Sequence, residues 1–122
     1  MNSHLQYVHK IKPMSKAKTP TPTLEDVLQS FRASAPIFQA LGDTFRQDIV
    51  LLLAQQERLN VTQIAEQMPL SRPAISHHLK VLLQAGLVQM ERVSRENFYT
   101  LSVDEGLAVL RRLVEQSEVV CT

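Results

Sequence analysis

Residues 70–86 read LSRPAISHHLKVLLQAG, a stretch that carries the signals of one well-defined helix. Ser71 is a favoured N-cap residue, and Pro73 suits the first turn because its missing N–H needs no partner there. Gly86 is a typical residue just beyond a helix end. The apolar side chains recur at helical spacing and form a single stripe, which comprises Ile75, Leu79, Leu82 and Leu83. An amphipathic helix that rests on the core through this stripe is therefore predicted.

The side of this helix that faces away from the apolar stripe is polar and contains no acid. At about 100° per residue, that side carries Arg72, Ser76, His77, Lys80 and Gln84. A face selected only for solubility usually includes Glu or Asp, but residues 72–85 contain neither. All five side chains can donate hydrogen bonds to phosphates or base edges. This face therefore predicts contact with a polyanion.

Further helices are predicted on both sides of this stretch, and two strands follow it. Pro36 is predicted to break the first helix, so that residues 37–41 form a separate helical turn. Residues 87–93 and 98–103 alternate apolar with polar side chains, which predicts a β-hairpin with its turn at residues 94–97. The predicted N-caps of the other helices are Thr23, Asp43, Thr62 and Asp104.

The predicted order of elements is α-α-α-α-α-β-β-α, which is a mainly α fold with one small β-hairpin. Within it, two short helices meet at residues 69–71, and the second of them is longer and basic. This arrangement is typical of a helix-turn-helix, whose second helix enters the major groove of DNA.

The chain has 122 residues, which suffices for one domain but not comfortably for two. Residues 1–23 contain four lysines, no acid and alternating Thr and Pro, which predicts a disordered basic tail. The role of this tail is left open, and Met14 is a second candidate for the first residue. The folded domain is predicted over residues 24–118, followed by a C-terminal tail over residues 119–122.

The composition argues against several other classes of protein. Cys121 is the one cysteine, so an internal disulfide and a paired-cysteine metal site are ruled out. There is no Ser-His-Asp order, glycine-rich phosphate loop or paired carboxylate motif, so neither an enzyme nor a cofactor is expected. Since no apolar run approaches the roughly 20 residues of a membrane span, a cytoplasmic protein without membrane contact is predicted.

Three motifs extend the pattern beyond the basic helix. They are ALGD at residues 40–43 followed by Arg46 and Ile49, LSRPAISHHLKVL at 70–82, and AGLV at 85–88. In these motifs the sequence resembles the arsenic-repressor (ArsR) family of winged-helix regulators, over about residues 37–103. The resemblance implies a winged helix-turn-helix homodimer, paired through its first and last helices, that binds a palindromic double-stranded DNA operator and represses transcription. The sequence itself leaves repression or activation open.

The resemblance assigns DNA contacts to the basic helix and to the hairpin, which is the wing of this family. The predicted DNA-binding residues are Ser71, Arg72, Pro73, Ser76, His77, His78, Lys80, Arg92 and Arg95. Amphipathic helices at both ends of a small domain favour pairing, and the predicted dimerisation residues are Leu24, Val27, Leu28, Phe31, Leu107, Leu110 and Val114. The wing tip departs from the Gly–Arg pair often found in the family, because Ser94 precedes Arg95 here.

The metal-sensing motifs of the family are missing. Its metal sensors carry a cysteine pair in the first helix of the helix-turn-helix, or Asp and His on the last helix. Residues 61–68 contain no cysteine and residues 104–118 contain no histidine. Thiolates and imidazoles are the ligands that bind arsenite, zinc or cadmium tightly, so no metal site is predicted. The sequence leaves open what releases the protein from DNA: an organic small molecule, a partner protein or no effector at all.

A protein-interaction module, whose basic face meets an acidic protein instead of DNA, is the alternative function. Binding measured at several salt concentrations distinguishes the two functions, since affinity for DNA falls steeply as salt rises and depends on the DNA sequence. Histidine chemistry adds a further expectation. Phosphates favour the imidazolium form, so His77 and His78 predict that DNA affinity rises as the pH falls through about 6.5.

Overall fold

The computed structural model describes residues 20–122. Residues 1–19 of the predicted tail therefore lie outside the described residues. The predicted fold class, mainly α with a small antiparallel hairpin, is confirmed. The elements are α1 (Leu24–Leu41), α2 (Thr44–Gln55), β1 (Leu59–Asn60), α3 (Val61–Ala65), α4 (Arg72–Gln84), β2 (Val88–Val93), β3 (Glu96–Leu101) and α5 (Asp104–Cys121).

Helix α1 is continuous, so the predicted break at Pro36 is wrong. The helix begins as expected with Thr23, whose side chain and that of Asp26 cap each other's backbone N–H groups. Pro36 removes one backbone hydrogen bond, but it lies on the exposed side of the helix, where water can bind the freed carbonyl. Ile37 and Ala40 are buried just beyond it, and their packing holds the second half of α1 in helical form.

The segment before α3 is a short strand, where sequence alone indicated only a connection. Strand β1 pairs antiparallel with β3, with Leu59 opposite Tyr99, and so extends the hairpin to a three-stranded sheet of order β1-β3-β2. Asn60, and not the predicted Thr62, is the N-cap of α3. Its side chain accepts from the backbone N–H of Gln63 at 2.8 Å, and the Gln63 side chain accepts from the backbone N–H of Asn60 at 2.9 Å.

The hairpin turn is tighter than predicted. Val93 pairs with Glu96, so the turn consists of Ser94 and Arg95 alone. Ser94 has φ 58°, the left-handed conformation that a glycine adopts at lower cost. Serine therefore takes the conformation that the family's usual glycine would supply, and Arg95 is kept at the tip of the hairpin.

Helix α5 runs to Cys121, so the predicted tail over residues 119–122 is helical except for the last residue. No Gly or Pro follows Gly106 in the sequence to end the helix earlier. Asp104 is the first residue of α5 and not its cap, because the N-cap is Val103 and makes no side-chain hydrogen bond. Helices α1 and α5 pack against each other, and the Ser30 hydroxyl donates to the Gln116 side-chain carbonyl between them.

The core lies where the helices meet the sheet. The largest fully buried apolar side chains come from α2, α3 and α4, and they are Ile49, Ile64, Ile75, Leu79 and Leu82. Over residues 20–122, no helix has the length and apolar character that crossing a bilayer requires.

Candidate nucleic-acid interface

Helix α4 rests on the core through the predicted stripe, with one exception. Ile75, Leu79 and Leu82 are fully buried, as expected, but Leu83 is 37% exposed. Leu83 lies at the edge of the stripe in the last turn of α4, where Leu82 already occupies the position that faces the core. Three buried side chains spread over two turns fix which side of α4 faces outward.

The outward side of α4 is the polar face that the sequence predicts. Its exposed residues are Arg72, Pro73, Ser76, His77, Lys80 and Gln84. Within residues 20–122, neither Arg72 nor Lys80 lies within ion-pair distance of a carboxylate. Both cations therefore keep their full hydrogen-bonding capacity for a ligand.

The N-terminal end of α4 adds donors to this face. Ser71 caps the helix by accepting from the backbone N–H of Ala74 at 3.3 Å, and Pro73 lies in the first turn, as predicted. The aligned peptide dipoles place partial positive charge at this end of a 13-residue helix, next to the Arg72 guanidinium. The same end therefore attracts phosphate through two sources of charge.

The acids of the hairpin make contacts on the side of β1 and α3, Glu91 at mid-strand and Glu96 next to the turn. Glu91 accepts from Arg58 at 3.3 Å, and the Arg58 guanidinium also lies 4.7 Å from the centre of the Phe98 ring. Glu96 accepts from the side chain of Asn60. Glu91 is thus paired with a cation, whereas Glu96 meets a neutral amide and keeps its charge, and Arg92 and Arg95 outnumber it.

The two hairpin arginines are the wing residues that the sequence predicts. Arg92 donates from Nη1 to Oδ1 of Asn97 at 3.3 Å across the hairpin, which orients its guanidinium and leaves most of its donors unused. Arg95 is exposed at the turn. Both side chains are available to a polyanion that lies along the hairpin.

His78 differs from the other predicted contact residues because the protein itself occupies one of its nitrogens. It is half-buried on α4, with Nδ1 at 3.1 Å from Nη1 of Arg46 in α2. Burial lowers the pKa of His78 below its ordinary value of 6.5, and the Arg46 charge lowers it further. Protonation of His78 therefore needs a lower pH than that of an ordinary histidine.

Arg46, which the sequence offers only as part of the motif that follows ALGD, makes contacts that sequence reasoning did not predict. Besides His78, it contacts α1, where Nε donates to the carbonyl of Ala40 at 2.7 Å and Nη2 to that of Gln39 at 3.2 Å. The sequence carries one signal for the contact with α1. The helix ends at Gly42, and its last carbonyls need hydrogen-bond donors from nearby side chains such as Arg46. The contact with α4 has no signal in sequence spacing.

The predicted dimerisation residues form an exposed apolar surface along α1 and α5, with one correction. Val27 is 4% exposed and packs inside the chain, because it lies on the side of α1 that faces α5. Leu110 is half-buried and lines, with Leu107, an apolar cavity of about 230 Å³. The exposed members of the set are Leu24, Leu28, Phe31, Leu107 and Val114.

Metal-ligating side chains do not gather within the described residues. Between residues 20 and 122, no group of three or more His, Cys, Asp or Glu side chains could hold a metal ion. His77 and His78 are neighbours with ring centroids 5.8 Å apart, and Cys121 is exposed at the end of α5.

Several known proteins with similar sequences and folds are named as transcriptional regulators. A family profile described as bacterial regulatory protein, arsR family, matches residues 43–90. An HTH-type transcriptional regulator of Methanocaldococcus jannaschii is 34% identical over 89 residues, which cover 73% of this chain and 99% of the relative. The transcriptional repressor SmtB homologue of Synechocystis is 30% identical over 112 residues, which cover 92% and 76% of the two chains. The solved structure of an ArsR-like transcriptional regulator from Rhodococcus superposes with a TM-score of 0.67 at 30% identity, over 75% of this chain and 83% of that one.

Proposed function

The chain belongs to the bacterial ArsR family and is a DNA-binding transcriptional regulator, and from that premise we propose that it is a dimeric repressor of a palindromic operator. The family consists of regulators and not of enzymes; its members bind operator DNA and are generally dimeric. Repression is proposed because a relative that aligns with 92% of this chain is named a repressor. Since operator DNA lies in the cytoplasm of such organisms, we propose a cytoplasmic location.

The exposed, acid-free face of α4 is the observation that carries the proposal. Its apolar stripe is buried, so the polar face cannot turn inward without exposing Ile75, Leu79 and Leu82 to water. In a dimer with two-fold symmetry, two such helices set about 34 Å apart enter successive major grooves on one side of the duplex. A palindromic operator follows from that symmetry.

The proposed contacts divide into base reading and phosphate binding. Arg72, Ser76 and His77 lie on the outward side of the first two turns of α4, where they would reach base edges. The proposed phosphate contacts come from the N-terminal end of α4, its second half and the wing, and they are Ser71, Lys80, Arg92 and Arg95. Pro73 has no N–H to donate, so its proposed DNA contact is van der Waals packing only. His78 would contribute through Nε2, since its Nδ1 is held by Arg46.

The second copy of the chain is proposed to cover the apolar surface of α1 and α5. Leu24, Leu28 and Phe31 recur at spacings of four and three and so lie on one side of α1. An exposed apolar surface of this extent is unusual on a monomer and typical of a protein interface. The cavity lined by Leu107 and Leu110 lies beside this surface and gives a partner side chain an apolar site to enter.

Footprinting on the DNA upstream of the gene for this protein tests the proposed function. We expect a protected site with two symmetric halves, and an affinity that falls steeply as salt rises. Binding that depended on salt but not on DNA sequence would contradict the proposal and favour an acidic protein as the partner of the basic face. Repeating the footprint with organic molecules and with Zn²⁺ asks which class of effector, if any, releases the DNA.

Replacing Arg95 by alanine should weaken binding to all DNA sequences by a similar factor. The guanidinium at the wing tip is proposed to meet phosphate, so its loss removes about one released counterion and lowers the slope of log affinity against log salt by about 1. Titrations of operator and unrelated duplexes at several salt concentrations measure both quantities. Arg112→Ala, which removes an exposed cation from the side of α5 away from Leu107 and Val114, is the matched control and should leave the slope unchanged. A change in operator preference without a change in slope would refute the phosphate role.

A further inference from the structure

One guanidinium connects the proposed dimerisation helix to the proposed recognition helix. Arg46 donates to Ala40 and Gln39 at the end of α1 and to His78 in α4, over distances of 2.7, 3.2 and 3.1 Å. The last carbonyls of a helix have no partner within it, and the last turn of α1 contains no basic residue of its own. Arg46 therefore completes α1 through Nε and Nη2, and its Nη1 reaches α4.

We propose that Arg46 is a positioning residue for DNA binding, which fixes α4 relative to α1 and thereby the separation of the two α4 helices in the dimer. This inference rests on the proposed function, in which α1 lies at the dimer interface and α4 enters the groove. In the proposed dimer, α1 of one protomer is packed against the other protomer. A rigid link from α1 to α4 in each protomer therefore sets the distance between the two α4 helices, and with it the distance between the half-sites that the dimer reads. Arg46 itself need not touch DNA.

The link requires one protonation state of His78. A guanidinium donates and never accepts, so Nδ1 of His78 must be unprotonated and the ring must carry its proton on Nε2. Protonation at Nδ1 would place two donors with positive charge 3.1 Å apart and break the hydrogen bond. The link therefore exists only with neutral His78.

The surroundings of His78 favour its neutral form. Burial against α2 lowers its pKa most, and the charges of Arg46 and His77 lower it further, while the carboxylate of Asp43 acts in the opposite direction. The Phe45 ring, 6.2 Å away, supplies no opposite charge. A depressed folded-state pKa means that the contribution of neutral His78 to stability is present above about 6.5 and is lost as the pH falls through the lower folded-state value.

The two adjacent histidines therefore respond to acid in opposite ways. His77 is exposed on the outward face, so a proton there strengthens attraction to phosphate. A proton on His78 releases α4 from α1 and weakens specific binding. His77→Gln removes the first effect and leaves the second to be measured alone.

The first test is the pH dependence of operator affinity in the His77→Gln protein, with the duplex obtained by footprinting as the probe. We expect affinity to fall about three- to tenfold as the pH is lowered from about 7.5 to the lowest pH at which the protein stays folded, an effect typical of coupling between residues in contact. The double variant His77→Gln/His78→Asn keeps an acceptor near the position of Nδ1 but does not titrate, so its affinity should be flat. An affinity that is flat or rises with acid in His77→Gln, or that falls equally in the double variant, would overturn the proposal.

The second test separates positioning from mere stabilisation. The probes are the operator and two duplexes whose half-sites are one base pair closer or further apart. The wild type should prefer one spacing, whereas Arg46→Ala and His78→Leu should each reduce that preference about three- to tenfold, and together no more than either alone. Thermal unfolding checks that both variants are folded. If Arg46→Ala does not fold, the spacing preference of His78→Leu alone decides the test.

A spacing preference that survives in a folded His78→Leu protein, or effects of the two changes that multiply, would contradict the positioning role. That outcome is distinguishable from a failure of the proposed function, because Arg72→Ala would still lower sequence preference. If Arg72→Ala also had no effect, α4 would not be the helix that reads DNA, and both proposals would fail.

Discussion

Replacing Arg72 by alanine should reduce the preference for the operator over unrelated DNA by about five- to 150-fold, while binding to unrelated DNA changes much less. Arg72 lies in the first turn of α4, exposed and without a carboxylate partner among the described residues. A guanidinium in that position can donate two hydrogen bonds to a guanine edge, and such a pair contributes about 1–3 kcal/mol of discrimination. Competition titrations with single-base operator variants measure the loss position by position.

The control for Arg72→Ala must remove equal charge from elsewhere on the chain. Arg112 is exposed on α5, on the side away from Leu107 and Val114, so Arg112→Ala should leave operator preference intact. A fall in affinity for every sequence by the same factor in Arg72→Ala would show that Arg72 binds phosphate and reads no base. Equal behaviour of the two variants would remove α4 from base recognition.

Replacing Phe31 by glutamate should convert the protein to a monomer and lower operator affinity by about 10²- to 10⁴-fold. Phe31 is 51% exposed on the apolar side of α1, and a buried carboxylate at a dimer interface would lack a partner. Two linked recognition helices bind one operator with an advantage of about that size over single helices. Light scattering after size exclusion measures the mass, and titration of whole and half operators measures the affinity.

Leu51 offers a matched control for the dimer prediction. It is 61% exposed on α2, outside the proposed dimer surface, so Leu51→Glu should remain dimeric and bind the whole operator normally. A Phe31→Glu protein that stays dimeric would place the interface elsewhere. A monomeric protein with unchanged operator affinity would instead contradict the two-helix recognition of a palindrome.

Local signals predicted α4 well because they do not depend on distant parts of the chain. The Ser71 cap, the proline in the first turn and the end near Gly86 are short-range features, and all three have the expected places. The buried stripe also follows, since helical periodicity alone determines which side chains share a side. The polar, acid-free face of the candidate site could therefore be predicted from the sequence alone.

The wrong predictions concern features that depend on tertiary packing. Pro36 predicts a break in an isolated helix, but Ile37 and Ala40 pack into the core and hold α1 together. Thr62 and Asn60 are both acceptable N-caps by residue type. Pairing of β1 with the hairpin fixes the backbone at Asn60 and thereby selects it.

The histidine pair shows the same limit within the candidate site. His77 and His78 are adjacent and chemically identical in the sequence, yet only His78 meets Arg46, which is 32 positions away along the chain. That contact needs α2 and α4 to cross at this point, which no spacing rule indicates. Burial at this contact and the Arg46 charge lower the pKa of His78, whereas the expected effect of acid at His77 stays a prediction.

Site-directed cleavage of DNA from α4 tests most directly whether its outward face enters the groove. In a Cys121→Ser background, which removes the one native cysteine, Ser76→Cys can carry an iron chelate that cuts the sugars nearest to it. We predict two symmetric clusters of cuts on one side of the operator, about 34 Å apart. A chelate at Glu115→Cys on α5 should give none. Cuts that are absent, scattered or no stronger than those from α5 would contradict the account.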